Sequence, residues 1–365
     1  MKILYDHQIF TFQKYGGISR YFSELYTNFL TMDSIQPEIS VVYSENSYYQ
    51  KLFHNRQILP DIHFLGKTTI INKINECDSK NRITKGNFDI FHPTYYNPYF
   101  LKNLKTKPYV LTVYDMIHEL FPDIFKGDST SIQKKKVIEC ATKIIAISEN
   151  TKTDIIKFYD IDPKKIEVIP LATSLHIQTP DSTLNLPQKY ILFVGNRGAY
   201  KNFTFFINSI STLLSDEKDL YLICAGGGVF SDAETSLLDD LKIKRKVLHF
   251  AVTNDSTLSQ LYKKAILFAF PSLYEGFGIP VLEAFSCGCP VAASNNSSLP
   301  EVGGNAVKYF DPYNSNSIKN VIEDLVHNKG DRDSIRIKGY QQLKQFSWEK
   351  TALCTKKVYD NLLYQ

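Results

Sequence analysis

The chain has 365 residues, 43% of them hydrophobic and 22% charged, which is long for one core and ample for two. Lys plus Arg number 42 against 38 Asp plus Glu, and a net charge of +4 is too mild to recruit nucleic acid. The longest apolar runs, such as 266–270, have strand length and fall far short of a membrane span.

The first residues read straight into a strand with no signal-peptide apolar core, so the protein is expected in the cytoplasm. The six cysteines, Cys77, Cys140, Cys224, Cys287, Cys289 and Cys354, form no secreted-type framework. Cys287-Gly-Cys289 is neither a CxxC redox motif nor half of a zinc site, so all are expected as small buried hydrophobes in a reducing compartment.

Along the chain, apolar β-branched runs alternate with amphipathic stretches, the rhythm of parallel strands and crossover helices. Strands are expected over 2–5, 38–43, 89–92, 109–114, 143–147 and 166–169, with helical spacing over 19–30 and 131–142. The stretch 172–188, with Pro180 and Pro187, lacks periodicity and reads as a connector between domains. The rhythm then restarts, with strands over 190–194, 220–225, 247–250, 267–270, 291–293 and 306–310. Helices are expected over 202–214, 232–241, 256–264, 280–286 and 316–327, and the tail 331–364 reads as helical with a break near Phe346-Ser-Trp348. The expected fold is α/β: two Rossmann-like, doubly wound domains over 1–175 and 186–330, then C-terminal helices over 331–365.

The most informative string is Pro271-Ser-Leu-Tyr-Glu-Gly-Phe-Gly-Ile-Pro-Val-Leu-Glu-Ala284, a strand end, a glycine turn and a helix start with Pro280 in its first turn. Gly276 and Gly278, flanking Phe277, let backbone N–H groups approach a ligand, and the helix N-terminus favours a phosphate. Glu275 lies in the loop and Glu283 one turn into the helix, so one carboxylate can face a sugar while the other accepts from ribose hydroxyls.

Three further elements follow strand ends. Gly195-Asn-Arg-Gly-Ala-Tyr-Lys201 carries Arg197 and Lys201, two cations suited to a diphosphate leaving group or, equally, to a solvated loop. Gly16 and Gly17 open a helix with free N–H groups, without the spacing of a dinucleotide fingerprint. There Arg20 reads either as a phosphate contact or as an exposed first-turn arginine. Asp115 and His118 follow the strand over 109–114, where ligands bind in such sheets. His118 either assists Asp115 or packs, and His92, at another strand end, is a site candidate or a satisfied structural histidine. Tyr95, Tyr96 and Tyr99 read as ordinary packing or as an acceptor platform. The basic runs 134–136 and 102–107 read as solvated faces or as a weak attraction to an anionic membrane surface.

Taken together, Glu275-x7-Glu283, Ala284–Ala293, Ser298-Leu-Pro-Glu-Val-Gly303 and Tyr309-Phe-Asp-Pro312 resemble the signature of the retaining glycosyltransferases of family four, which have the GT-B fold. The resemblance runs over nearly the whole chain and is strongest over 190–312. It implies two domains facing each other across a cleft, a nucleotide-sugar donor held mainly by the second and the acceptor mainly by the first. The final helix would return to the first domain. Among the residues, it implies Glu275 on the donor sugar and Glu283 on the ribose. Arg197, Lys201, Gly16, Gly17, Gly276, Phe277 and Gly278 would lie around the donor, with Asp115 and His118 on the acceptor side. Two positions depart from the family: Asn196 stands where many members have Arg, and Tyr114 where a His is common.

With no DxD motif in a convincing setting, the expected reaction is metal-independent hexose transfer with retention of configuration. The acceptor would be a glycan or a polyprenyl-linked oligosaccharide, as in surface polysaccharide synthesis such as lipopolysaccharide or capsule. GDP-mannose is favoured over UDP-sugars, with the base held by backbone around 251–255. The rival readings are a nucleotide-sugar epimerase of the same fold, a nucleotide-dependent oxidoreductase (disfavoured by the missing GxGxxG) and a non-catalytic nucleotide-sugar-binding protein.

Overall fold

The structure is a computed structural model, and it describes residues 1–53, 66–177, 184–252 and 254–364. The chain divides into two compact units, one of residues 1–171 with 347–365 and one of residues 172–346.

The first unit runs β1 (Lys2–Tyr5), α1 (Gln8–Phe12), α2 (Gly17–Leu30), β2 (Gln36–Ile39), α3 (Ser47–Leu52), α4 (Lys67–Lys85) and β3 (Ile90–His92). It continues with β4 (Val110–Val113), α5 (Ile117–Leu120), α6 (Thr130–Cys140), β5 (Lys143–Ala146), α7 (Glu149–Tyr159) and β6 (Ile166–Val168). Its strands pair in parallel as β2-β1-β3 and β4-β5-β6, and a bridge from Phe91 to Tyr109 joins the two groups. The order reverses at β1 and β3, the topological switch where ligands meet such sheets.

The second unit runs β7 (Lys189–Val194), α8 (Phe203–Asp216), β8 (Leu220–Ala225), α9 (Asp232–Asp240), β9 (Val247–Phe250), α10 (Asp255–Lys264) and β10 (Leu267–Phe270). It closes with α11 (Ile279–Ser286), β11 (Val291–Ser294), α12 (Leu299–Gly303), β12 (Val307–Phe310), α13 (Ser315–His327) and α14 (Lys329–Leu343). All six strands are parallel in the order β12-β11-β10-β7-β8-β9, so the switch falls between β7 and β10. Tyr190, Ile191, Leu192 and Phe193 are all buried, as expected of a strand with helices on both faces.

Several elements differ from the sequence reading. The strand expected over 38–43 is β2 at Gln36–Ile39, because the Asn75 side chain takes the N–H groups of Val42 and Tyr43 at 2.9 and 3.1 Å and ends the ladder. α4 and α7 do not stand out by apolar periodicity. The buried stripe of α4 is Ile71, Asn75, Ser79 and Ile83, in which two polar residues replace hydrophobes. The tail breaks near Phe346-Ser-Trp348, with α14 in the second unit and α15 (Trp348–Leu363) in the first. Ser347 makes the division, its Oγ accepting the Lys350 N–H as the cap of a new helix. No helix or strand forms over 172–177 or 184–188, while 178–183, with Pro180, lies outside the described residues. Cys224, Cys287 and Cys289 are buried, but Cys77, Cys140 and Cys354 are exposed on helix faces, contrary to the expectation that all six fill cores. No described helix is long and apolar enough to cross a membrane.

Candidate functional site

At the β7/β10 switch the loops leaving the two strands are joined twice. Leu273 N donates to Tyr200 O at 2.7 Å, and Lys201 Nζ lies 2.6 Å from Glu275 Oε1. Both side chains are mostly enclosed, 15% and 12% exposed, so the pair is shielded from screening without being sealed off. Lys201 also sits over the rings of Tyr200 and Phe270, at 5.2 and 5.3 Å. The loop of Glu275 is tied down by two serine hydroxyls. Ser297 Oγ accepts the Glu275 N–H, while Ser298 Oγ donates to the carbonyls of Glu275 and Phe277, each at 2.8 Å.

Gly278 caps α11 in the left-handed region at φ 109°, and a Cβ there would meet Leu299 at 2.9 Å, so the turn tolerates no side chain. Gly276 is buried in the same loop. Phe277 is buried, edge-to-face with Phe346 at 5.9 Å. One turn into α11, Glu283 is 8% exposed, and Tyr262 donates to its Oε2 at 3.2 Å. Burial and then the Glu283 charge drive the Tyr262 phenol well above its ordinary pKa, so it stays a neutral donor.

Arg197 is not brought to Lys201. Its Nε donates to Glu234 Oε1 at 2.6 Å, and its Nη atoms donate to the carbonyls of Gly226, Gly228 and Val229 at 3.3, 3.0 and 3.0 Å. Its side chain is 3% exposed and lies over Phe230 at 4.7 Å. The guanidinium therefore braces the turn after β8, instead of standing beside Lys201 as two cations on one loop suggested. The signal missed was Gly226-Gly227-Gly228, three consecutive glycines with positive φ directly after a strand. At Gly227 a Cβ would lie 2.7 Å from Gly195 O, so this turn closes onto the β7 loop.

Buried polar atoms without partners mark the same edge. In the second unit these are, among the described residues, His249 Nε2, Ser272 Oγ and Asn296 Oδ1. They belong to β9 and to the residues just after β10 and β11, at or next to the carboxyl edge of the sheet. Such groups are rare in folded proteins and point to a ligand or water. Of the segment 251–255 expected around a base, Thr253 lies outside the described residues.

In the first unit, Gly17 opens α2 and is exposed, with extended Gly16 as its cap. Arg20 is not the exposed first-turn arginine: it is 5% exposed, and donates to Tyr48 and Tyr15 hydroxyls at 2.7 and 3.0 Å. His92 is a structural histidine. Its Nδ1 is 2.6 Å from Tyr359 Oη and its Nε2 2.9 Å from Thr112 Oγ1, and burial lowers its pKa to about 3. Tyr96 is packed rather than displayed, its Oη accepting the Tyr114 N–H, and half-buried Tyr99 donates to Asp6.

Asp115 is 31% exposed after β4, and its Oδ1 accepts the Ile117 N–H at 3.1 Å. His118 does not join it. The imidazole lies on Phe125, centroids 4.2 Å apart, with Nε2 3.5 Å from Asp128 Oδ2. Hydrogen bonds from Thr130, and then His118, hold the Asp128 carboxyl below its usual range. Lys134, expected on a solvated or membrane-facing helix side, is 0% exposed and pairs with Glu119 at 2.8 Å. Its sequence signal was its place on the apolar stripe with Val137 and Ile138. Among the described residues no three His, Cys, Asp or Glu side chains gather as a metal-binding set.

The family "Glycosyltransferase Family 4" matches residues 15–176, and "Glycosyl transferases group 1" matches residues 177–342. The chain is 29% identical over 285 residues to O-antigen chain mannosyltransferase B of Escherichia coli, covering 74% of each protein. Among solved structures, it is similar to sucrose-phosphate synthase from Thermosynechococcus elongatus, with a TM-score of 0.76 at 18% identity over 100% of this chain and 99% of that one. It is also similar to Anabaena HepE in complex with UDP-glucose, with a TM-score of 0.72 at 17% identity over 99% of this chain and 100% of that one. With adjoining family matches spanning residues 15–342 and full-length structural likeness, this chain belongs to glycosyltransferase family four and has the GT-B fold.

Proposed function

We propose that this enzyme transfers a hexose, mannose from GDP-mannose foremost, to a glycan or polyprenyl-linked oligosaccharide in surface polysaccharide synthesis. Transfer proceeds without a metal and with retention of configuration. The observation that carries this is the Lys201–Glu275 contact across the β7/β10 switch, with Glu283 behind it on α11. Departure of a nucleoside diphosphate builds negative charge, and an ammonium beside a helix N-terminus stabilises that charge where it develops. In this reading Lys201 meets the phosphates while Glu275 turns to the hexose, and Gly276 and Gly278 allow backbone N–H groups to close on the donor. Glu283, held by Tyr262, accepts from the ribose hydroxyls. In this reading the domain over 186–330 takes the donor and the domain over 1–175 the acceptor, with Asp115 orienting the attacking hydroxyl and Gly16 and Gly17 counted among the donor ligands.

Mannose leads because the E. coli relative is named a mannosyltransferase. The test is transfer from labelled GDP-mannose, UDP-glucose and UDP-galactose to polyprenyl diphosphate-linked oligosaccharides, with and without EDTA. Transfer from GDP-mannose that survives EDTA and yields the α-linked product supports the reading. Transfer from a UDP-sugar alone replaces the donor, and conversion of the donor without an acceptor replaces transfer by epimerisation.

A further inference from the structure

The Lys134 ammonium has no solvent access, yet three oxygen atoms, two of them from carboxylates, share it. It donates to Glu119 Oε2 at 2.8 Å and to the main-chain carbonyl of Asp115 at 2.9 Å, and lies 3.8 Å from Asp115 Oδ1. The face of Tyr96 covers it at 5.2 Å. Glu119 is itself 4% exposed, and its Oε1 accepts from Tyr159 at 2.6 Å. Burial raises the Glu119 carboxyl, but the charge and hydrogen bond of Lys134, with Tyr159, outweigh it and leave the group below its usual range. An ammonium this deep is stable only with such partners.

The consequence falls on Asp115. Its carbonyl is tied to α6 through Lys134, and its Oδ1 is held by the Ile117 N–H with Lys134 beyond. Oδ2 accepts no hydrogen bond among the described residues, and it is not among the buried unpartnered atoms of a side chain that is 31% exposed. One carboxylate oxygen is thus anchored and the other presented. We propose that Lys134, locked by Glu119 and Tyr159, is the positioning residue that fixes the Asp115 carboxylate with Oδ2 toward the acceptor hydroxyl.

The proposal rests on the reading of Asp115 given above, and the test separates the two. Glu119→Gln/Lys134→Met removes both buried charges together, which avoids stranding one of them. Wild type, this double variant and Asp115→Asn are assayed with GDP-mannose as donor and methyl α-mannopyranoside as acceptor, with the folded fraction measured by circular dichroism. The expected result is a fall of about 10- to 100-fold in kcat/KM for the mannoside in both variants, with KM for GDP-mannose within about twofold of wild type. Adding Asp115→Asn to the double variant would lower the rate no further. Wild-type transfer by the double variant, with Asp115→Asn inactive, overturns the positioning role and leaves Asp115 in place. Wild-type transfer by Asp115→Asn, or no turnover by wild type, removes the reading of Asp115 and the proposal with it. A loss matching the unfolded fraction shows a structural pair only.

Discussion

Lys201 Nζ and Glu275 Oε1 stand 2.6 Å apart, joining two strand-end loops through residues 74 positions apart in sequence. The ammonium thus has a resident partner, and a donor diphosphate must share or take it. Lys201→Ala and Glu275→Ala should each lower transfer by about 100- to 1,000-fold, in the range seen when one charge-stabilising group is removed from an active site. The double variant should fall well short of the product of the two losses, because each single change already breaks the shared contact. Steady-state rates of the three variants check this, and full multiplicativity would show that the residues act independently.

Glu283 depends on Tyr262 for one of its hydrogen bonds. Tyr262→Phe should weaken nucleoside diphosphate binding by roughly 1–3 kcal/mol without changing kcat, since it leaves a mostly buried carboxylate oxygen short of a donor. Glu283→Ala should weaken binding more. Isothermal titration with GDP measures both, and the order of the losses is the point at issue.

Arg197 acts through stability. Arg197→Met leaves Glu234 facing an apolar side chain and frees three carbonyls of the glycine turn. Breaking an enclosed pair in this way costs about 3–5 kcal/mol. For a domain of this size that is a fall of roughly 10 °C in the melting temperature of the second unit. Lys201→Ala should shift it far less, which differential scanning calorimetry of the two variants would show.

His92 makes the first unit acid-sensitive. Its pKa is lowered by burial from 6.5 to about 3, so the folded form holds it neutral while the unfolded chain protonates near 6.5. The stability from this residue is full above pH 6.5 and is lost as pH falls toward 3. Burial lowers His7 in the same direction. Between pH 6.5 and 5, the stability gap between wild type and His92→Gln should narrow by roughly 2 kcal/mol in urea unfolding, at about 1.4 kcal/mol per pH unit. A gap independent of pH would mean that His92 is not held neutral.

The sequence revealed what periodicity and glycine chemistry can reveal. The strands of the second domain were legible because they are continuous apolar runs of strand length, and the loop of Glu275 and Glu283 because glycines separate such a run from a helix start. Lys201 was legible from its loop after a strand. What escaped depends on partners far away in the chain. Arg197 reads as a phosphate ligand until Glu234 and the turn after β8 close on it. Lys134 reads as surface until Glu119 and Asp115 enclose it. α4 was hidden because Asn75 and Ser79, buried by their bonds to the 40–43 backbone and to His7, interrupt its apolar stripe.

The most direct test of the central claim is a thermal-shift titration of the purified protein with GDP, UDP and ADP, with and without Mg²⁺. At a hundredfold excess over its dissociation constant, the right nucleotide should stabilise the wild type by about 2.7 kcal/mol. That shift should be present without Mg²⁺ and lost in Lys201→Ala and Glu283→Ala. A folded wild type that responds to none of the nucleotides, or a shift that survives both substitutions, would contradict a donor site at the β7/β10 switch.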